Sequence, residues 1–184
     1  MSLSITGGRF KGSVLRTSSG KDLTRPTSGK VRQALFNILR DQIEGASFVD
    51  LYAGSGAVGL EALSRGCAPV TLVESHPVAF KALEANAKLL LARGADSGSL
   101  QCVREDAARF CAAAKNHGRF ELVFADPPFS QDFSGLWARL QPLLAGNGTA
   151  VVQFPTRQPP DFAETARVYA YGESSLAVFD AGHC

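Results

Sequence analysis

Residues 48–59 read FVDLYAGSGAVG, and this stretch decides the fold. An apolar segment over 48–52 predicts a buried strand, and an apolar helix is expected after the small residues that follow it. Small residues let a ligand approach the backbone, and the start of a helix offers free amide groups. Gly54, Gly56 and Gly59 also fit the GxGxxG spacing of dinucleotide-binding loops, although a tight structural turn produces the same pattern.

The alternation of strands and helices continues along the chain and indicates a parallel sheet with helices on both faces. We therefore predict an α/β fold: a doubly wound, mostly parallel, seven-stranded Rossmann-like sheet, whose ligand lies at the carboxyl ends of the strands. A Gly-Asn-Gly segment at 146–148 is expected to stop the last helix. The further strands are predicted over 70–73, 100–103, 120–125, 149–154, 166–171 and 175–180, and the helices over 60–66, 77–93, 110–115 and 136–144.

The first 45 residues are predicted to form a small basic extension, followed by the main domain over 46–184. Residues 5–17 read as a hairpin, and a helix is expected after Pro26, capped by Thr27 or Ser28. Residues 1–40 contain eight basic residues against one acidic residue, whereas the remainder contains 11 basic and 16 acidic residues. This asymmetry favours a polyanionic partner at one end of the molecule, and nucleic acid fits it best.

Three of the predicted strands end in acidic residues that suit a nucleoside cofactor. Glu74, twenty residues after Gly54, can accept both ribose hydroxyls of an adenosine, a feature that NAD and S-adenosylmethionine share. Asp106 is placed for an adenine amino group. Asp50 precedes the glycines, where a carboxylate suits a cationic methionine end, and this favours S-adenosylmethionine over NAD.

The fourth strand ends in Asp126, Pro127, Pro128 and Phe129. The two prolines make a rigid extended turn and remove two amide donors, which leaves carbonyls free to accept hydrogen bonds. Asp126 and the Pro127 carbonyl can accept the two N–H bonds of a planar amino group, while Phe129 stacks on the attached base. We interpret this motif as the catalytic site for methylation of an exocyclic amino group.

Several other classes of site and location are disfavoured. The four cysteines lack CxxC spacing, so we expect reduced thiols and no metal site. No apolar run is long enough to span a bilayer, and no secretory signal is visible, so a cytoplasmic protein without a membrane partner is expected. The three histidines are scattered and are interpreted as non-catalytic.

Four stretches of the sequence resemble one known family. ITGGRFKG at 5–12, RPT at 25–27, VRQALFNIL at 31–39 and DLYAGSGAVGLEALSRG at 50–66 are similar to blocks of the RsmD family. The resemblance extends over nearly the whole chain. The chain departs from the family pattern at His76 and Gln153, where family members often carry an acid.

The resemblance implies a class I S-adenosylmethionine-dependent methyltransferase that modifies N2 of a guanine in bacterial 16S ribosomal RNA, the usual target being guanine 966. It implies a monomeric enzyme that acts on a partly or fully assembled small ribosomal subunit. It also implies target-base contacts at 126–129 and RNA contacts from the basic extension. The implied cofactor contacts are Asp50, Ala53, Gly54, Gly56, Glu74, Asp106 and Asp126, and the expected RNA contacts are Arg9, Lys11, Arg25, Lys30 and Arg32.

Other functions remain open at this level. An adenine-N6 DNA methyltransferase would use the same Asp-Pro-Pro-Phe chemistry, but 184 residues leave no room for a separate domain that reads DNA sequence. A non-enzymatic nucleoside-binding regulator would need Glu74 but not the motif at 126–129. An NAD oxidoreductase would rest on the glycine spacing alone.

Overall fold

A computed structural model describes residues 3–17 and 27–180 of the chain. Its centre is a seven-stranded sheet with the order β3-β2-β1-β4-β5-β7-β6, in which β7 runs antiparallel to both of its neighbours and the other pairs are parallel. This architecture confirms the predicted fold class. The strands are β1 (Phe48–Asp50), β2 (Val70–Val73), β3 (Leu100–Val103), β4 (Phe120–Ala125), β5 (Leu144–Pro155), β6 (Arg167–Tyr171) and β7 (Ser174–Asp180).

Within the described residues, five α-helices accompany the sheet. The first begins where the sequence indicated, because the Ser28 hydroxyl accepts a hydrogen bond from the Val31 amide at 3.2 Å and caps the helix. Among the described residues, no helix combines the length and apolar character needed to cross a membrane. The helices are α1 (Gly29–Ile38), α2 (Ala57–Ser64), α3 (Pro77–Ala92), α4 (Ala107–Ala112) and α5 (Leu136–Leu140).

The prediction for 136–148 is wrong in its boundaries. The α-helix ends at Leu140, a 3-10 turn follows, and β5 already begins at Leu144 and includes the Gly-Asn-Gly segment. Pairing with β4 explains the difference: Phe120 lies opposite Leu144, and an irregularity accommodates the extra residues before Leu122 meets Thr149. Tertiary pairing here overrides the local preference of glycine and asparagine for a turn.

Two segments near the beginning of the chain pair in antiparallel orientation, as the hairpin prediction requires, but the pairing consists of one isolated β-bridge. Ser4 pairs with Val14, and the Ile5 amide donates to the Ser13 carbonyl at 3.0 Å. Ile5 and Phe10 are buried in the same apolar core as Phe48 of β1. The predicted extension therefore packs directly on the sheet.

A buried ion pair joins this extension to α2. Arg32 Nε donates to Glu61 Oε2 at 2.7 Å, with the two side chains 2% and 0% exposed, and Arg32 Nη2 donates to the Ser4 carbonyl at 2.7 Å. Glu61 also accepts hydrogen bonds from Thr6 and Arg65. Burial alone would raise the pKa of Glu61, but these donors outweigh it and lower the pKa.

Breaking this pair should strongly destabilise the fold. Replacing Glu61 by alanine leaves the Arg32 guanidinium buried without its counter-charge, which typically costs about 3–5 kcal/mol. The matched control is Asp41→Ala, which removes an exposed ion pair with Arg40 and should change stability by less than about 1 kcal/mol. Urea unfolding followed by circular dichroism measures both. Equal stabilities of the two variants would show that the buried pair contributes no more than the exposed one.

Candidate functional site

A pocket of about 500 Å³ opens at the carboxyl ends of the parallel strands. Its position follows from the topology, because the strand order of the sheet reverses between β1 and β4. All four acidic residues predicted at strand ends line this pocket: Asp50, Glu74, Asp106 and Asp126. The sheet therefore brings together side chains that are separated by up to 76 positions in sequence.

Glu74 is fixed against the glycine loop. Its Oε2 accepts a hydrogen bond from the Gly54 amide at 2.7 Å, and its Oε1 accepts one from the His76 amide at 2.7 Å. Each carboxylate oxygen retains a further acceptor site, so two adjacent hydroxyls can bind there. Ala53 and Gly54, the predicted cofactor contacts in this loop, lie in the pocket wall.

Gly56 lies behind that wall. It precedes α2 with a left-handed φ of 86°, and a Cβ at this position would lie 2.5 Å from Leu83 Cδ1. Glycine is required here by the close approach of α3 and by the backbone conformation. The predicted role of Gly56 in cofactor contact is therefore indirect, through the shape of the loop.

Asp50 is buried and incompletely satisfied. Its Oδ2 accepts a hydrogen bond from the Gly59 amide at 3.1 Å, whereas its buried Oδ1 has no partner within residues 3–17 and 27–180. Burial, with smaller contributions from the charges of Asp126 and Glu74, raises the pKa of Asp50 to about 7. A cationic group in the pocket would satisfy this oxygen and offset the surrounding negative charge.

Asp106 serves two purposes at the pocket rim. Its Oδ1 accepts hydrogen bonds from the Ala108 and Arg109 amides at 3.0 and 3.1 Å and so caps α4. The residue is solvent-exposed and also lines the pocket. Its role toward an adenine ring stays a prediction.

The extension reaches the candidate catalytic carboxylate through Thr27. The Thr27 hydroxyl donates to Asp126 Oδ2 at 2.7 Å, across 99 positions of sequence. Burial raises the pKa of Asp126 to about 6, and the Thr27 hydrogen bond partly opposes that effect. Sequence reasoning missed this contact, although the pair of hydroxyl residues before α1 was a signal: only Ser28 is needed for the cap.

The two prolines differ in their hydrogen bonding. The Pro128 carbonyl accepts from the Gln131 amide at 2.8 Å. Within the described part of the chain, no donor is paired with the Pro127 carbonyl, so it can accept from a ligand. Phe129 is 45% exposed and lines the pocket mouth, where an aromatic ring can stack on a base.

The pocket also contains residues that sequence reasoning did not select. Gln131 Nε2 donates to the Tyr52 hydroxyl at 3.2 Å, and both residues contribute to the wall. Gln153, where the chain departs from the family pattern, lies in the wall as well. Glutamines carry no charge or motif that a single sequence reveals.

The expected RNA contacts divide into three groups. Arg9, Lys11 and Lys30 are exposed, whereas Arg25 lies outside the described residues. The prediction that Arg32 contacts RNA is wrong, because the residue is buried in the ion pair with Glu61. A guanidinium in this position cannot contact a phosphate, so we remove Arg32 from the RNA-binding set.

His76 lines the pocket beside Glu74, whereas His117 and the described cysteines are absent from its wall, and His183 and Cys184 lie outside the described residues. No cluster of three or more potential metal ligands occurs among the described side chains. Burial raises the pKa of Cys67 to about 12 and those of Cys102 and Cys111 to about 11. These three thiols are therefore weakly reactive.

The fold and the arrangement of its strand ends define the architecture of class I methyltransferases. An RNA methyltransferase from Salinibacter ruber, in complex with S-adenosyl-L-homocysteine, superposes with a TM-score of 0.63 at 18% identity, covering 85% of this chain and 94% of that one. The chain belongs to the family described as conserved hypothetical protein 95, whose family model matches residues 3–180. This confirms the resemblance to the RsmD family.

Two further relatives support this assignment. Ribosomal RNA small subunit methyltransferase D from Escherichia coli K12 is 38% identical over 144 residues, which cover 78% of this chain and 67% of that protein. The structure of a hypothetical protein from Thermus thermophilus superposes with a TM-score of 0.80 at 30% identity, covering 96% of this chain and 98% of that one. None of these three relatives is named as an NAD oxidoreductase, the alternative that rested on the glycine spacing.

The raised pKa of Asp50 predicts a measurable pH dependence of stability. The ordinary pKa of an aspartate is 3.8, whereas that of folded Asp50 is about 7. Between these two pH values, Asp50 loses its proton in the unfolded chain but keeps it in the folded protein. The free energy of unfolding should therefore fall as the pH rises, by at most ~1.4 kcal/mol per pH unit from this group. Asp50→Asn keeps an acceptor for Gly59 and removes that slope.

Urea unfolding between pH 4 and 7 tests this expectation. The stability of Asp50→Asn relative to the wild type should increase steadily across the range. Asp161→Asn, which removes an exposed carboxylate, provides the control and should follow the wild-type profile. A constant difference between Asp50→Asn and the wild type would mean that Asp50 is ionised throughout.

Proposed function

We propose that this chain transfers a methyl group from S-adenosyl-L-methionine to the exocyclic N2 amino group of a guanine in 16S ribosomal RNA. One observation carries the proposal: Asp126, Phe129 and Pro127, whose carbonyl is paired with no donor among the described residues, line the same pocket. Two acceptors and an aromatic face match a planar base with a reactive amino group. The RNA methyltransferases among its relatives supply the substrate class.

The pocket residues fit S-adenosyl-L-methionine in charge and in hydrogen-bonding capacity. The unpartnered Oδ1 of Asp50 suits the methionine ammonium group, and Glu74 suits the two ribose hydroxyls. Asp106 at the rim suits the adenine amino group. When bound, the cofactor supplies a methyl carbon activated by a positively charged sulfur.

Asp126 and Pro127 then orient the guanine N2 for in-line attack. The bond that forms joins N2 to the methyl carbon, and the bond that breaks joins that carbon to sulfur, which leaves as a neutral thioether. Asp126 and the Pro127 carbonyl accept hydrogen bonds from the two N–H groups, and this orients the N2 lone pair toward the methyl carbon. The negative charge of Asp126 stabilises the positive charge that develops on nitrogen. The Asp126 carboxylate, with a pKa of about 6, can then accept the released proton.

The extension formed by residues 1–45 is proposed to contact the RNA. Arg9, Lys11 and Lys30 offer exposed positive charges, and α1 begins beside Asp126 through Thr27. Phosphate contacts from this side would position an extruded guanine over the pocket. The proposed substrate is 16S ribosomal RNA within a partly or fully assembled small subunit in the cytoplasm, and the name of the Escherichia coli relative supports small-subunit ribosomal RNA as the substrate class.

The direct test is transfer of labelled methyl from S-adenosyl-L-methionine to small subunits or 16S RNA lacking the modification, followed by nucleoside analysis. N2-methylguanosine is the expected product. N6-methyladenosine would instead identify an adenine methyltransferase, and no labelled nucleoside under saturating conditions would contradict the proposal.

Asp126→Asn should slow methyl transfer by roughly 10²–10³-fold, as is typical when one preorganised electrostatic contact is lost. Asparagine keeps the shape and one acceptor, so cofactor affinity should change far less than the rate. Single-turnover rates at saturating cofactor and RNA give the measurement. Asp132→Asn is the matched control, because Asp132 is exposed and accepts from the Ser134 amide in the same loop. Equal rates for the wild type and Asp126→Asn would remove Asp126 from the reaction.

Glu74→Ala should weaken S-adenosyl-L-methionine binding by about 1.5–3 kcal/mol, because a charged acceptor of two hydroxyls is lost. Isothermal titration calorimetry measures the effect. Glu84→Ala, an equal change of charge at an exposed position of α3, serves as the control. A folded Glu74→Ala protein with wild-type affinity would show that the carboxylate only braces the Gly54 amide.

A further inference from the structure

Gln153 is a buried polar residue beside the candidate catalytic carboxylate. In the parallel pair β4 and β5, Ala125 at the end of β4 lies opposite Val152, so Asp126 follows β4 at the level where β5 continues with Gln153. Both residues line the same pocket.

The amide of Gln153 is only half satisfied. Its side chain is 4% exposed, and Nε2 donates to Ser174 Oγ at a long distance of 3.4 Å. Oε1 is buried and has no hydrogen-bond partner among the residues that the structure describes. A buried carbonyl oxygen without a donor is unfavourable and uncommon in folded proteins. Because Gln153 lines the pocket, a bound ligand can supply the missing donor.

The chemistry of the bases identifies that donor. In guanine, two ring nitrogens flank the carbon that bears the reactive amino group: N1, which carries a hydrogen and can donate it, and N3, which carries none. In adenine and cytosine, the ring nitrogen beside the exocyclic amino group carries none and can only accept. An unpartnered acceptor next to Asp126 therefore complements guanine and leaves the other two bases with opposed lone pairs.

We propose that Gln153 Oε1 accepts the N1–H of the guanine whose N2 amino group is bound by Asp126, and that Gln153 thereby selects guanine. This inference rests on the function proposed above and adds to it a residue that discriminates between bases. The N1–H belongs to the Watson–Crick edge, so the target guanine must be unpaired when it enters the pocket.

A neutral amide suits this position electrostatically. Asp50, Glu74, Asp106 and Asp126 already place four carboxyl groups in the pocket. A carboxylate at this position would add to their negative charge and would itself need a partner when buried. Glutamine offers an acceptor for N1–H without adding to this negative charge.

The test uses a base analogue that lacks the hydrogen on N1 but keeps the reactive amino group. After the methylated nucleotide has been mapped, substrate RNA is prepared with guanine or with 2,6-diaminopurine at that position. The analogue retains the 2-amino group, but its N1 carries no hydrogen. The wild type should methylate guanine faster by about 10- to 100-fold in single-turnover experiments, because an unmatched buried acceptor penalises the analogue.

Gln153→Met, which has a similar volume and removes the amide, should lower the guanine rate and reduce this preference to within about threefold. Gln153→Glu, which retains an acceptor, should keep guanine preferred. Gln101→Leu, a change of an exposed glutamine in β3, is the control and should match the wild type.

The outcomes separate this inference from the function on which it rests. A wild type that methylates no guanine overturns both. A wild type that methylates guanine and the analogue equally, or a Gln153→Met variant that keeps the full preference, overturns the role of Gln153 alone. If Gln153→Met does not fold, the wild-type comparison and Gln153→Glu still decide: loss of preference in Gln153→Glu would mean that the glutamine donates rather than accepts.

Discussion

The Glu61 carboxylate, fully buried in α2, joins three parts of the chain. Thr6 comes from the antiparallel start of the chain, Arg32 from α1, and Arg65 follows α2 itself. The beginning of α2 carries the glycine loop, and the beginning of α1 carries the Thr27 contact to Asp126. Because one buried group fixes both helices, the position of the extension and the shape of the pocket depend on the same interaction.

The parallel sheet imposes a second constraint, since it gathers carboxyl groups at one edge. Backbone amides of Gly54, His76 and Gly59 satisfy part of this charge, and the Thr27 hydroxyl satisfies another part. One oxygen of Asp50 is left without a donor in the described residues. The pocket is thus prepared for a ligand that brings positive charge and several hydroxyl or amino donors.

The sequence was sufficient to predict the strands, their order of appearance and the acids at their ends. These features depend on local apolar patterns and on the rule that parallel strands end at the same edge. It was insufficient where distant residues decide the outcome. Arg32 has the sequence context of an exposed basic residue, and only its pairing with Glu61, 29 positions away, makes burial favourable. The Gly-Asn-Gly segment joins β5 for the same reason, because β4 supplies the pairing.

The hydrogen bond between Thr27 and Asp126 has a consequence for modular exchange. RNA-modifying enzymes are often discussed as a catalytic domain with an attached recognition element, and a boundary near residue 45 invites that description. In this protein, however, Thr27 of the extension proposed to contact RNA donates directly to the Asp126 carboxylate in the pocket wall. Grafting the extension onto another methyltransferase, or replacing it with a different RNA-binding element, would therefore alter the protonation of Asp126 together with the choice of substrate.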